Sequence, residues 1–255
     1  MTSPSSPGLE GLRAVVTGST SGIGRATAVA LAAAGADVVI HGRDRDRGAE
    51  VAEAVHQWKR NAIVDVTDLS DEPALSDFVQ RVWAQGRVDI WVNNAGVDVL
   101  TGEASQLDFV AKLARLWAVD VRATIMLSRD VGRRMHAAGG GVIINMGWDQ
   151  ASTGMAGDSG EMFAATKGAV EAFSRSLAKS LAPRVRVNCV APGWIRTAWG
   201  ETASPEWQAR AQGVAAGAVG HARRRRPGRL LPGVAGRVVR QRPGPRRQRQ
   251  PRRRL

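Results

Sequence analysis

The chain has 255 residues, 44% of them hydrophobic, enough for one globular domain with a sizeable core and too apolar for wholesale disorder. A single cysteine, Cys189, excludes an internal disulfide framework or a cysteine-rich zinc module and points to a reducing, cytoplasmic setting. The formal net charge of +13 misleads as a whole-chain property: residues 1–206 hold 21 Lys+Arg and all 23 Asp+Glu, whereas residues 207–255 hold 15 Arg and no acid, so the body is not read as a nucleic-acid binder.

Residues 1–11 form a polar, Pro/Ser-rich segment without the apolar run of a secretory signal. The longest apolar stretch, residues 26–40, contains Gly35 and Asp37 and is too short to span a bilayer, so no membrane partner is expected. Residues 12–17 read as a buried strand ending in a Gly-rich turn. An Ala-rich helix is predicted over 22–34, stopping at Gly35. Strands follow at 37–41, 62–66, 88–92, 142–146 and 185–190. Helices are predicted at 44–58, 72–84, 107–136 and 161–181. Val/Ile runs alternating with helices imply one Rossmann-type, doubly wound α/β fold, a parallel sheet with helices on both faces. The domain spans 12–213, and 214–255 is an Arg/Pro/Gly-rich tail without period. The tail reads as disordered or as frame-shifted text, and only a genuine basic tail brings nucleic acid in as a partner.

The turn Thr17-Gly18-Ser19-Thr20-Ser21-Gly22-Ile23-Gly24 joins the first strand to the first helix. Its glycines permit a sharp turn and close approach of a pyrophosphate, and the helix N-terminus offers N–H groups and a positive dipole end to that anion. Thr-Gly-x-x-x-Gly-Ile-Gly at 17–24, Asn93-Asn94-Ala95-Gly96 and Pro192-Gly193 together resemble the signatures of the short-chain dehydrogenase/reductase family over residues 10–205. The resemblance implies cofactor contacts from Gly18, Ser21, Gly22, Ile23, Gly24, Asp65, Val66, Asn93, Ala95, Gly96, Lys167, Pro192, Gly193 and Ile195. Asp65 is placed at the adenine. Gly42 stands where members using NAD often carry an acid for the ribose hydroxyl, and Arg43 follows. A guanidinium there suits a 2′-phosphate, so NADP(H) is expected and NAD is the lesser alternative.

In that family a Ser, a Tyr, a Lys and an upstream Asn carry carbonyl reduction. Here the matching positions read Trp148, Phe163, Lys167 and Asp120, and the chain contains no tyrosine. A benzyl ring has no proton to donate. The resemblance therefore implies an atypical member lacking the catalytic Ser and Tyr. Three readings follow: a reductase whose substrate needs no phenolic acid, such as a cationic imine held near Asp149 or Asp120; a non-redox catalyst using Asp149; or a nucleotide-binding subunit. Trp148, Trp194 and Trp199 suggest a bulky, flat or polycyclic small molecule, of the kind found in secondary metabolism. Residues 151–161 read as a mobile loop over that cleft. His41, His56, His136 and His221 show no metal spacing, so neither a metal nor a histidine base is expected. A homo-oligomer, dimer or tetramer, is expected from the resemblance.

Overall fold

The computed structural model describes residues 8–193 and 236–239. In chain order the elements are β1 (Arg13–Val16), α1 (Gly22–Ala33), β2 (Asp37–Gly42), α2 (Arg45–His56), β3 (Ala62–Val66), α3 (Glu72–Ala84) and β4 (Ile90–Asn93). A short 3-10 turn (Glu103–Gln106) precedes α4 (Phe109–Leu116), a π-helical segment (Trp117–Ala123) and α5 (Thr124–Ala137). β5 (Gly141–Met146), α6 (Asp158–Leu181), β6 (Val185–Pro192) and β7 (Gly236–Val239) complete the set.

The sheet order is β3-β2-β1-β4-β5-β6-β7. β1 to β6 are parallel, in the doubly wound arrangement that the alternating pattern predicts. Strand order reverses between β1 and β4, and open α/β sheets bind ligands beyond the carboxyl ends of the strands at such a point. One addition was not legible. β7 pairs antiparallel with β6, Cys189 opposite Val239 and Pro192 opposite Gly236, within a stretch that showed no period. Its Val238 and Val239 are two apolar residues in Arg/Pro/Gly-rich text, too short a run to register as a strand alone.

Two apolar layers sandwich the sheet. On one face Val15, Val39, Trp91 and Ile143 pack with Phe78 and Val82 of α3, Leu127, Val131 and Met135 of α5, and Leu177 of α6. On the other, Val16, Val38, Ile40 and Val92 pack with Leu31 of α1 and Val51 and Val55 of α2. Alternating side chains of each strand serve the two layers, which is why the strands read as unbroken apolar runs.

Two predicted boundaries are corrected. The stretch 107–136 is not one uniform α-helix. Asp108 caps α4 by accepting the Ala111 N–H at 2.8 Å, and the helix widens to π geometry over Trp117–Ala123. Such bulges carry one extra residue per turn and are enriched at functional sites. Here the widened turn buries Asp120 while leaving Trp117 at the surface. α6 begins at Asp158, inside the expected loop, because Asp158 and Glu161 are favourable in a first turn beside the positive helix end.

Candidate active site

The Gly-rich turn runs from the end of β1 into α1. Gly18 has φ +62, and a Cβ there would lie 2.7 Å from the Ala95 Cα, so the β1 and β4 exits touch backbone to backbone. A Cβ on Gly24 would lie 2.2 Å from the Gly18 carbonyl oxygen and 2.5 Å from the Asn94 Nδ2. Ser21 caps α1 with extended backbone but makes no side-chain cap bond, which leaves first-turn N–H groups facing outward. This is an anion cradle by construction.

A groove of about 440 Å³ opens over it. Its walls are Gly18 and residues 20–24 of the turn; His41 to Asp44 and Arg47 from β2 and α2; Thr67 to Leu69; residues 94–97; and Val119. Of the expected cofactor contacts, the structure brings Gly18, Ser21, Gly22, Ile23, Gly24, Arg43, Ala95 and Gly96 into this groove. A Cβ on Gly42 would lie 2.4 Å from the Thr20 Cγ2, so a side chain at this position would require the Thr20 side chain to move.

Asp65, Val66 and Asn93 are not part of this groove's lining. Asp65 faces α3, where Arg81 grips it through Nε at 2.9 Å and Nη2 at 3.0 Å. Asp65 and Val66 border a separate recess with Arg45 and Arg81, and the groove wall after β3 is built by Thr67, Asp68 and Leu69 instead. Arg81 holds this segment against α3, donating also to the Thr67 Oγ1 at 2.7 Å, and the chain past the end of β3 forms the groove wall. Asn93 is buried. Its amide donates to Ser128 Oγ and Asn145 Oδ1, both at 2.8 Å, and its carbonyl oxygen accepts the Trp91 indole N–H at 2.7 Å. Asn145 continues the chain to Ser174 of α6 at 2.9 Å. This ladder braces the β4 and β5 ends from beneath, while the neighbouring Asn94 lines the groove and bonds the carbonyls of Thr17 and Gly18.

Past the groove wall at Gly96, Val97 and Val119 lies the remaining constellation. Lys167 Nζ is 2.7 Å from Asp120 Oδ2, with side chains 14% and 3% exposed. Among the described residues no other ion pair has both partners so shielded. Asp120 Oδ1 also accepts the Val97 N–H at 3.0 Å, and a Cβ on Gly96 would lie 3.0 Å from Oδ2. The pair is thus fastened to the groove wall. One turn before Lys167 on α6, the Phe163 ring meets Trp148 edge-on, centroids 6.3 Å apart. Asp149 accompanies Trp148 on the loop after β5, its N–H donating to the Pro192 carbonyl at 3.2 Å. A Cβ on Gly193 would lie 2.7 Å from its Oδ2. Desolvation by the surrounding chain raises the Asp149 pKa above the ordinary carboxylate value. Pro192 and Gly193 therefore border the Trp148–Asp149 loop. Ile195, Trp194 and Trp199 lie outside the described residues.

His41, Asn94, Asp68 and Arg47 line the groove as well, beyond the residues that the resemblance implies as cofactor contacts. Arg47 lies in the first turn of α2 and lines the groove together with Arg43, which precedes the helix. His41 gives no signal in the sequence, because its role is a tertiary contact. Its Nδ1 accepts the Gly18 N–H at 3.2 Å, and its Nε2–H donates to the Thr67 carbonyl at 3.1 Å. Burial lowers its pKa from 6.5 to about 4, against the opposing influence of Asp65 and Asp68 and with a contribution from Arg81. Between those values the unfolded chain binds the proton and the fold does not, so the stability His41 confers is complete above pH 6.5 and lost as pH falls toward 4. The loss is expected to be on the order of 3 kcal/mol. Urea unfolding at pH 7 and pH 4.5 checks this, with His41→Asn expected to flatten the difference.

Cys189 is buried, and burial pushes its thiol up to about 11, which marks an inert core residue. Among the described residues no group of three His, Cys, Asp or Glu side chains is arranged to hold a metal ion. No described helix is long and apolar enough to cross a membrane.

A parallel sheet with a Gly-rich anion cradle at its switch point defines a dinucleotide-binding protein of the Rossmann type. The family description "short chain dehydrogenase" matches residues 13–208, and the chain belongs to that family. It is 37% identical over 196 residues to the 3-oxoacyl-(acyl-carrier-protein) reductase FabG of Aquifex aeolicus, covering 74% of this chain and 76% of that one. It is 36% identical over 203 residues to the L-xylulose reductase of Mesocricetus auratus, covering 76% of each. Among solved structures, a 3-oxoacyl-(acyl-carrier-protein) reductase from Agrobacterium tumefaciens with NADP bound superposes with a TM-score of 0.70 at 31% identity, covering 82% of this chain and 78% of that one. A gluconate 5-dehydrogenase from Burkholderia cenocepacia in complex with NADP and tartrate gives 0.67 at 30% identity, covering 76% and 75%. The chain is a short-chain dehydrogenase/reductase oxidoreductase with NADP-bound structural neighbours.

Proposed function

We propose that the protein is an NADP(H)-dependent reductase of atypical chemistry, delivering hydride to a bulky substrate that needs no phenolic proton donor. The observation that carries this reading is the pairing of a Gly-rich dinucleotide groove with Phe163 and Trp148 at the positions where the family carries Tyr and Ser. The groove fits the cofactor on its own features: a cradle that a Cβ at Gly24 would fill, outward N–H groups, and Arg43 and Arg47 on the adenosine side. Bound NADPH supplies a hydride from its nicotinamide. The first-turn amides of α1 at Gly22 to Gly24 would hold the pyrophosphate over the turn that Gly18 shapes, Arg43 with Arg47 would hold the 2′-phosphate, and Lys167 the nicotinamide ribose.

Lys167 is neutralised by Asp120, so the site carries no net positive charge to stabilise a developing alkoxide. Asp149 adds a further carboxyl beside Trp148. A cationic imine already bears its proton, and a carboxylate and an indole face both favour a cation. Hydride addition to the imine carbon yields a neutral amine and consumes no enzyme proton. The substrate class is a bulky or polycyclic small molecule, consistent with a role in secondary metabolism in the cytoplasm, and the protein acts as a homo-oligomer. Exposed Phe109, Val110 and Trp117 around α4, with Met126 on α5, support self-association.

Single-turnover oxidation of bound NADPH, with cyclic imines and ketones compared side by side, tests the reading. Imines are expected to react faster. Failure of both NADPH and NADP+ to bind at millimolar concentration overturns it, and binding without turnover of either class points to a redox-inactive subunit. Arg43→Ala is expected to weaken NADPH binding by roughly 10- to 100-fold while changing NADH binding little, since one charge-assisted contact is worth about 1.5–3 kcal/mol. Paired fluorescence titrations check the split.

A further inference from the structure

We propose that His41 is a positioning residue for the dinucleotide, its neutral ring fastening the phosphate turn to the exit of β3 so that both walls of the adenosine end hold one shape. The inference rests on the dinucleotide reading of the groove and is independent of the substrate.

Four bonds meet at this residue. Gly18 N–H donates to Nδ1 at 3.2 Å, and Nε2–H donates to the Thr67 carbonyl at 3.1 Å. The His41 N–H donates to Ser19 Oγ at 3.0 Å, and the Ser19 N–H donates to the His41 carbonyl at 2.8 Å. Because Thr67 offers a carbonyl and Gly18 an amide, only the Nε2–H tautomer satisfies both ring nitrogens. The ring is 2% exposed and lies 4.7 Å from the Phe78 ring, which sets its plane.

The consequence for binding is specific. The Gly18 amide is committed to His41, so the anion is left to the first-turn amides of α1, beyond the uncapped Ser21. Gly18 is also where β1 meets Ala95, so a shift there moves the groove floor. Thr67 leads into Asp68 and Leu69, which form the opposite wall. One side chain therefore couples the pyrophosphate end to the wall after β3.

The test compares His41→Asn, His41→Gln and His41→Leu with the wild type by NADPH fluorescence titration at pH 7.5, with thermal melts of the cofactor-free proteins. Asn places a carbonyl oxygen near the Nδ1 position and keeps the acceptor for Gly18; Gln places its amide near the Nε2 position and keeps only the donor to Thr67. The Asn variant is expected to stay within about threefold of wild-type affinity and the Gln and Leu variants to lose about tenfold or more, at a temperature where all are folded. Unchanged affinity in all three overturns the proposal, as does a loss that simply follows the fall in melting temperature. If the Leu variant does not fold, the Asn–Gln comparison decides. Nitrogen NMR of the wild type is a second reading: Nδ1 is expected unprotonated, with a resonance that moves when NADP+ is added, and a protonated or unmoved Nδ1 overturns the proposal. A wild type that binds neither nucleotide overturns the dinucleotide reading as well, which separates the two failures.

Discussion

Replacing Phe163 by Tyr together with Trp148 by Ser is expected to raise NADPH-dependent ketone reduction by about 10²–10⁴-fold, the range a positioned general acid contributes. Phe163 already stands one helical turn before Lys167, and four residues place both side chains on one face of α6. Tyrosine adds a hydroxyl to the far edge of a ring that now meets Trp148. Removing the indole makes room for that hydroxyl, and serine supplies a second donor to the substrate oxygen. Neither change touches the groove wall, so NADPH affinity is expected to hold within about threefold, less than the roughly 1.4 kcal/mol that a tenfold change represents. Initial rates on a small cyclic ketone at saturating NADPH measure the gain. An unchanged rate with cofactor bound means that position 163 does not face the reacting carbon, and the proposed chemistry falls with it.

Lys167→Met is expected to cost about 3–5 kcal/mol of folding stability, because it strands Asp120 as an uncompensated buried charge. Asp120 is 3% exposed and keeps only the Val97 N–H as a partner when the ammonium is gone. Adding Asp120→Asn to Lys167→Met is expected to recover most of that loss, since an amide can accept the same N–H without carrying charge. Urea unfolding of the wild type, both single variants and the double variant completes the thermodynamic cycle. Additive single effects would mean that the 2.7 Å pair is not coupled, and the neutral-site argument for a cationic substrate would lose its basis. The variant also separates stability from binding: Lys167→Met is expected to weaken NADPH binding in the double variant too, where stability has returned.

Much of this molecule was readable in one dimension. Continuous apolar runs such as Ala14 to Val16 and Val38 to Ile40 announce strands covered on both faces, and Gly18, Gly22 and Gly24 announce the cradle. These are local properties, set by the period of burial and by backbone freedom. The absence of any tyrosine is likewise plain from composition. Tertiary structure decided the rest. Asp65 and Asp68 look alike in sequence, yet the first is held on β3 by Arg81 and the second lies in the segment past the strand end that forms the groove wall. Asn93 and Asn94 are adjacent, yet one is buried in a ladder with Asn145 and the other lines the site. Asp120 meets Lys167 because a π turn rotates it inward, and His41 reaches Gly18 and Thr67 across three strands' ends. Such pairings depend on side-chain direction and on which chain ends the sheet gathers at its switch point, and neither is encoded by any short stretch of residues alone.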